Sequence, residues 1–295
     1  MTGNANTAAI EQAICDARGV AVTITSRRAL TGGDINRVER LETSAGTFVL
    51  KMHAHAPRGF FRAEADGLRA LRASATLLRI PDVIALGTGT SSAFLILEDL
   101  GDGPRAHDFE AVLGHGIAAL HETRAPQYGF DHDGFCGLTT QPNAWASGWV
   151  EFYATRRLGY QIARAAGAGL LSTADRHHAD ALLDRISDFL IEPDEGPALV
   201  HGDLWSGNVH ATTGGTPALI DPAAYFGHRE AEFGMTTLFG GFSSRFYDAY
   251  TARYPLASGW RERNPLYQLY HLLNHLNLFG GQYHAQVMTI VRRYL

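Results

Sequence analysis

Lysine is nearly absent from this 295-residue chain: of the 25 basic residues only Lys51 is a lysine, and all the others are arginine. A compact ammonium on a flexible stem reaches places a planar guanidinium cannot, so the one retained lysine is a candidate for a specific task. Cysteine is scarce as well. Cys15 and Cys136 alone cannot build a disulfide framework, which points to a reducing compartment and a cytoplasmic protein. No apolar run approaches membrane-spanning length, and the first residues carry neither the basic start nor the apolar core of a signal peptide. Repeats and low-complexity tracts are missing, which argues against solenoids and flexible arrays. The net charge of -5 carries no basic footprint, so neither nucleic acid nor a membrane surface is expected as a partner. What remains is an ordinary globular composition, 45% hydrophobic and 19% charged, long enough for two modest lobes.

The chemistry concentrates in residues 199–221, LVHGDLWSGNVHATTGGTPALID. A short apolar run enters a polar loop, His201 to Asn208, and a second apolar run ends on Asp221. Acidic and amide groups at the ends of buried strands are held rigid yet exposed. The Asp203/Asn208 spacing equals that of the catalytic-loop Asp and Asn of protein kinases, and Asp221 follows where their metal-binding Asp does. One carboxylate facing an acceptor hydroxyl, with an amide oxygen and a second carboxylate for Mg²⁺, is what phosphoryl transfer requires. A metal-hydrolase arrangement with His201 and Asp203 as ligands fits less well, because an amide in place of a further histidine or carboxylate suits Mg²⁺ better than zinc.

Taken in order, the chain opens with a helix capped near Asn6 or Thr7 and stopped by Gly19. Alternating segments at 20–30, 34–43 and 47–52 predict an antiparallel meander whose first turn holds Gly32 and Gly33, placed where backbone N–H groups could approach phosphates. The third strand delivers Lys51. A helix over 60–74 then places Glu64 in its first turns, in the order of the kinase lysine–glutamate pair. Strands at 82–86 and 93–97 lead into Glu98, Asp99, Leu100 and Gly101, which read as a hinge able to hold adenine through backbone groups. Beyond it the periodicity is helical at 108–122, 144–166, 173–191, 228–239, 243–253, 264–279 and 281–295. The loop 128–143 is long for a compact domain, and its DHDG lacks the rest of a calcium loop.

These residues together resemble the fructosamine kinases, or ketosamine-3-kinases, of the aminoglycoside-phosphotransferase-like kinase fold. The resemblance runs from about residue 8 to 294. It is carried by LVHGDLWSGNVH, IDPAAYFGHREAEFGMTTLFGGF, QPNAWASGWVEFYATRRLGYQ and YQLYHLLNHLNLFGGQY. It implies an α+β, bilobal protein-kinase-like fold. Residues 1–100 would form a nucleotide-binding N-lobe with an antiparallel sheet and one key helix. Residues 101–295 would form a mainly helical C-lobe with the catalytic loop, metal ligands and acceptor pocket. By resemblance Asp203 is the catalytic residue, and Asn208 and Asp221 the Mg²⁺ ligands. Lys51 and its partner Glu64, with the Gly32–Gly33 turn and the hinge, hold ATP. His201, Trp205, Tyr225, His228 and Arg229 are placed toward the substrate; for His228 and Arg229 a loop-bracing role is equally open. The family commonly reads READ where this chain has Arg229, Glu230, Ala231 and Glu232. Some members link two chains through a cysteine in the glycine-rich turn, which is absent here.

The implied reaction is MgATP-dependent phosphorylation of the 3-hydroxyl of a fructosamine or ribulosamine, on a free or protein-bound amine, leading to deglycation and protein repair. Two rivals stand beside it: a kinase of the same fold acting on an aminoglycoside or choline-like hydroxyl, and a nucleotide-binding module without catalysis. The aromatic segments around Trp145, Trp149, Tyr153 and Trp205 suit a neutral sugar, and the intact set Lys51, Asp203, Asn208 and Asp221 argues for catalysis. A monomer is the default expectation. The preferred sugar and the role of Glu232 are open at this level.

Overall fold

A computed structural model describes residues 2–30, 35–74, 76–89 and 92–295, with side chains from residue 6 onward. Gly32 and Gly33 lie outside the described residues. Helix α1 (Thr2–Arg18) ends at Gly19, whose φ of 71° reverses the chain. Strands β1 (Ile24–Ala29), β2 (Arg37–Thr43) and β3 (Gly46–His53) form the meander, followed by helix α2 (Phe60–Ala73) and strands β4 (Val83–Thr88) and β5 (Ala93–Glu98). The five strands make one sheet in the order β1-β2-β3-β5-β4, antiparallel throughout.

Period-two alternation decides what this sheet presents to each side. Phe48 and Leu50 of β3, with Phe94 and Ile96 of β5, pack with Ile10 and Ile14 of α1 on one face. The residues between them, Val49 of β3 with Leu95 and Leu97 of β5, meet Phe61, Ala65, Leu68 and Leu71 of α2 on the other. Lys51 shares the α2 side of that alternation, and Glu64 lies on the buried stripe of α2. The two charges therefore meet because strand and helix periodicities both point at the same interface.

Helix α3 (Phe109–Leu120) starts the helical part. A hairpin of β6 (Gly134–Cys136) and β7 (Thr139–Gln141) follows within the long loop. Helix α4 (Trp149–Phe152) passes through a π-helical stretch, Tyr153–Gly159, into α5 (Tyr160–Gly167), and α6 (Thr173–Asp184) comes next. The expected start at 144 is late by five residues for a tertiary reason. The Glu192 carboxylate accepts from the N–H groups of Trp149 and Val150 at 2.7 and 2.8 Å and so caps the helix there. Strand β8 (Ala198–Val200) leads into the polar loop, β9 (Val209–Ala211) and β10 (Pro217–Leu219) form a hairpin, and β11 (Tyr225–Gly227) pairs back with β8.

Helices α7 (Glu232–Leu238), α8 (Ser244–Arg253), α9 (Trp260–Phe279) and α10 (His284–Arg293) complete the chain. Helix α9 begins four residues before the expected 264, leaving Pro265 inside it rather than at its start. Buried Leu266, Leu269, Leu272, Leu273 and Leu276 make α9 the axis of the C-terminal core. Helices α3 and α8 pack closely because Gly114 has no side chain: a Cβ there would sit 2.3 Å from the Phe246 carbonyl oxygen. Among the described residues, no helix is long and apolar enough to cross a membrane.

Candidate active site

A cavity of about 570 Å³ opens between the sheet and the helical part, and Lys51, Glu64, Asp203, Asn208 and Asp221 all line it. The β9–β10 hairpin brings two of them together, since Asn208 precedes it and Asp221 follows it, and the N–H of Ile220 donates to the Asn208 carbonyl at 3.1 Å. Asp221 has φ of 56°, and it is the one non-glycine residue with positive φ among those described. Aspartate is among the few residues that enter this left-handed region at modest cost. That backbone turn accompanies a direct ion pair, Lys51 Nζ to Asp221 Oδ1 at 2.7 Å, beside Lys51 Nζ to Glu64 Oε1 at 2.6 Å. Burial alone would lower the Lys51 pKa, but the Asp221 and Glu64 carboxylates outweigh it and hold the ammonium above its ordinary range. For Glu64 burial is the larger influence and raises its pKa, while Lys51 opposes it.

Asp203 is half-buried, and burial pushes its pKa up to about 7. The Asn208 amide donates to Asp203 Oδ2 at 3.1 Å and to its carbonyl at 2.8 Å, which favours the ionised form, while Asp221 and Glu232 oppose it. With its NH₂ group so engaged, Asn208 leaves its amide oxygen for a cation, and Asp221 keeps one carboxylate oxygen clear of Lys51. An amide oxygen and a carboxylate oxygen on one side of the cavity are the hard donors that Mg²⁺ takes, with room for phosphate oxygens.

Four residues expected at the substrate stand elsewhere. His201 is completely buried, its Nε2 donating to the Ile220 carbonyl at 2.9 Å and its Nδ1 accepting the Asp203 N–H at 3.3 Å. Both contacts call for the neutral ring, in keeping with the fall in its pKa that burial causes. Tyr225 packs under the Arg157 guanidinium, 4.0 Å from the ring centre. His228 Nδ1 meets the Tyr267 hydroxyl at 3.0 Å. Arg229 lies over the Tyr254 ring and donates to Glu195 and to the Pro255 carbonyl at 2.7 and 2.6 Å. None of the four lines the cavity. His201 and Arg229 bond to backbone groups of the segments around them, and His228 and Tyr225 meet other side chains. Trp149 and Tyr153 are likewise core residues, and of the quoted aromatics only Trp205 lines the cavity, 38% exposed.

The hinge residues are also outside the cavity lining. Glu98 pairs with Arg79 and Asp99 with Arg40, at 2.7 Å each, while Leu100 accepts the Thr213 N–H at 3.1 Å. The Glu98 and Asp99 side chains and the Leu100 carbonyl thus tie neighbouring segments together.

Glu232 has a distinct task. Its carboxylate accepts the N–H of His201 at 2.5 Å and of Gly202 at 3.0 Å, fixing the two residues before Asp203. Burial would raise its pKa, but His121, His201 and the backbone donor prevail and lower it. The sequence identified the position without its role. It assigned no role at all to Phe239, His275, Phe279 and Tyr283, which line the same cavity as Lys51. His275 and Phe279, four residues apart near the end of α9, share one helical face, and Tyr283 joins their rings from the turn that follows Gly280.

The fructosamine kinase family model matches residues 6–295. The chain is 38% identical over 287 residues to a protein of Synechocystis sp. named probable ketoamine kinase, spanning 97% of this chain and 96% of the relative. It is 37% identical over 282 residues to the chloroplastic protein-ribulosamine 3-kinase of Arabidopsis thaliana, spanning 94% and 85%. In structure it is similar to a protein from Haemophilus somnus 129PT named as a fructosamine-3-kinase, with a TM-score of 0.87, 28% identity and coverage of 97% and 96%.

Proposed function

Since the chain belongs to the fructosamine kinase family, we propose that this cavity transfers a phosphoryl group from ATP to the 3-hydroxyl of a fructosamine or ribulosamine. The protein is an ATP-dependent kinase of ketosamines with a kinase-like fold. The observation that supports these particular residues is the single cavity in which Lys51, clamped by Glu64 and Asp221, faces the Asp203–Asn208 pair.

Phosphoryl transfer passes through a loose transition state, so positioning and charge neutralisation supply most of the acceleration. Lys51 binds phosphate oxygens. Asn208 and Asp221 supply the oxygen donors for Mg²⁺, which when bound neutralises phosphate charge. Asp203 accepts the hydrogen bond of the attacking hydroxyl and takes its proton. A carboxylate pushed up to about 7 is matched to that proton near neutral pH. Trp205 offers an apolar face to the sugar. In the 98–101 stretch, where the adenine is expected, the Glu98 N–H donates to Asp82 and the Leu100 carbonyl accepts from Thr213. The Gly101 N–H donates to Asp99 Oδ1 at 3.0 Å and the Gly101 carbonyl meets His210 Nε2, which leaves the Asp99 backbone and the Leu100 N–H to the base. Residues up to about 100 then serve the nucleotide, and the remainder supplies the catalytic loop, the metal ligands and the acceptor pocket.

The test is an ADP-release assay with MgATP, comparing ribulose-lysine, fructose-lysine and an aminoglycoside. Ketoamine-dependent release is expected, with the ratio of the two sugars reporting preference. Brisk aminoglycoside turnover with none on either ketoamine would overturn the acceptor assignment and leave the kinase chemistry in place.

A further inference from the structure

Cys136 at the end of β6, Asp203 on the catalytic loop and His271 on α9 each present one potential ligand atom, and the three atoms lie within 4.8 Å of one another. Cys136 and Asp203 line the cavity. His271 is 4% exposed, and its Nδ1 is buried without a hydrogen-bond partner. A buried polar atom left unmatched costs roughly 1–3 kcal/mol, so a ring that carries an orphan nitrogen and stands beside a thiol and a carboxylate is a candidate ligand. Asp203 commits Oδ2 to Asn208, and no hydrogen bond engages its Oδ1 among the described residues. The Cys136 sulfur accepts from the Asn274 amide at 3.3 Å and neighbours the Tyr270 hydroxyl.

We propose that Cys136, His271 and Asp203 form a binding site for a thiophilic divalent cation, zinc in the first instance, and that its occupancy shuts the kinase off by capturing the Asp203 carboxylate. Thiolate, imidazole and carboxylate are the ligand types of zinc sites, with metal–ligand bonds of about 2.0–2.3 Å in tetrahedral array. Such bonds require the three ligand atoms to close to roughly 3.3–3.8 Å of one another, a rotamer-scale adjustment from the separations present. The fourth position is left for water. The Mg²⁺ donors proposed above are oxygens alone, so softness separates the two sites although both adjoin Asp203. Burial keeps the His271 ring neutral, as a ligand must be, and keeps the Cys136 thiol protonated when no metal is bound. On binding, the Zn–S, Zn–N and Zn–O bonds form, the thiol proton passes to solvent, and nothing is oxidised or reduced. The inhibition rests on the proposed role of Asp203; the binding does not.

Cobalt(II), which displays thiolate coordination by charge-transfer absorption, separates these two statements. The wild-type protein, added to cobalt without nucleotide, should show that band at one equivalent and lose it when zinc is added. Cys136→Ser should abolish the band, Cys15→Ser should keep it, and His271→Gln should weaken metal binding by about 10- to 100-fold. In the ADP-release assay with saturating MgATP, zinc should inhibit wild type. At least about tenfold more should be needed for Cys136→Ser or His271→Gln, each compared with its own zinc-free rate. No thiolate band in wild type would overturn the site; equal zinc sensitivity in wild type and both variants would overturn inhibition through it and place the inhibitory zinc on the Mg²⁺ ligands. A thiolate band with no loss of rate would uphold the site and overturn its inhibitory action together with the role given to Asp203.

Discussion

Two sets of polar residues flank the polar loop, and they are built alike yet face opposite ways. The front set, Lys51, Glu64, Asp203, Asn208 and Asp221, lines the cavity and leaves hydrogen-bonding capacity unspent. The back set, His201, His228, Arg229, Glu230 and Glu232, is closed on itself. Glu232 holds the loop backbone, Glu230 takes Arg263 at 2.8 and 2.6 Å, and Arg229 spends its guanidinium on Glu195, Tyr250 and two carbonyls. A polar group with nothing left to offer braces; a polar group with a free donor or acceptor beside space can do chemistry. The consequence is that rate and stability should separate by set.

The sharpest effect on stability is expected at Glu232. Glu232→Gln turns one acceptor into a donor facing a backbone N–H, leaving it buried and unmet, at a cost of roughly 3 kcal/mol. Thermal melts should register the loss, and an unchanged melting temperature would break the division at its firmest point. On the front side, Asp221→Asn removes a charge from Lys51 and a donor for the cation. Affinity for ATP measured by calorimetry should fall on the order of 100-fold with Mg²⁺ present and change little without it. Trp205→Ala should raise the KM for the ketoamine by up to about tenfold at unchanged melting temperature, since an exposed ring at the cavity contributes contact and no support.

The smallest effect concerns protons. Burial lowers the pKa of His121, His201, His228 and His271, so the folded chain holds these rings neutral while the unfolded chain titrates them near 6.5. Their contribution is therefore complete above about pH 6.5 and declines as pH falls through that value, because the unfolded state then binds more protons. Between pH 7.5 and 6.5 these rings should remove about 1 kcal/mol of stability. Asp203, whose raised pKa of about 7 acts in the opposite sense, partly offsets this, so denaturant titrations are best made in the Asp203→Asn background. His271→Gln should flatten that slope.

How much of this was legible in the sequence follows from the same contrast. Periodicity yielded the sheet and α2, because alternation in β3 and β5 and the stripe of α2 record which neighbours each side chain must meet. The spacing of Asp203 and Asn208 and the order of Lys51, Glu64 and Asp221 led to residues that do share one cavity. Direction was not legible. His201, Tyr225, His228 and Arg229 are as polar as their neighbours, and residue type does not say whether a loop turns a side chain outward or back upon its own carbonyls. Nor could local pattern find the start of α4, fixed by Glu192 from more than forty positions away. The aromatic lining of Phe239, His275, Phe279 and Tyr283 went unassigned because segments distant in sequence from Lys51 bring it to the cavity.

The most direct test measures rate and melting temperature side by side for Asp203→Asn and Arg229→Lys. The account predicts that Asp203→Asn loses turnover by a factor of about 100–10,000 while melting at or above the wild-type temperature. It predicts that Arg229→Lys keeps its kcat and KM below its melt but unfolds several degrees earlier, having lost the planar fork shared among Glu195, Tyr250 and the Pro255 carbonyl. Near-normal turnover in Asp203→Asn, or a raised ketoamine KM with unchanged melting in Arg229→Lys, would contradict it.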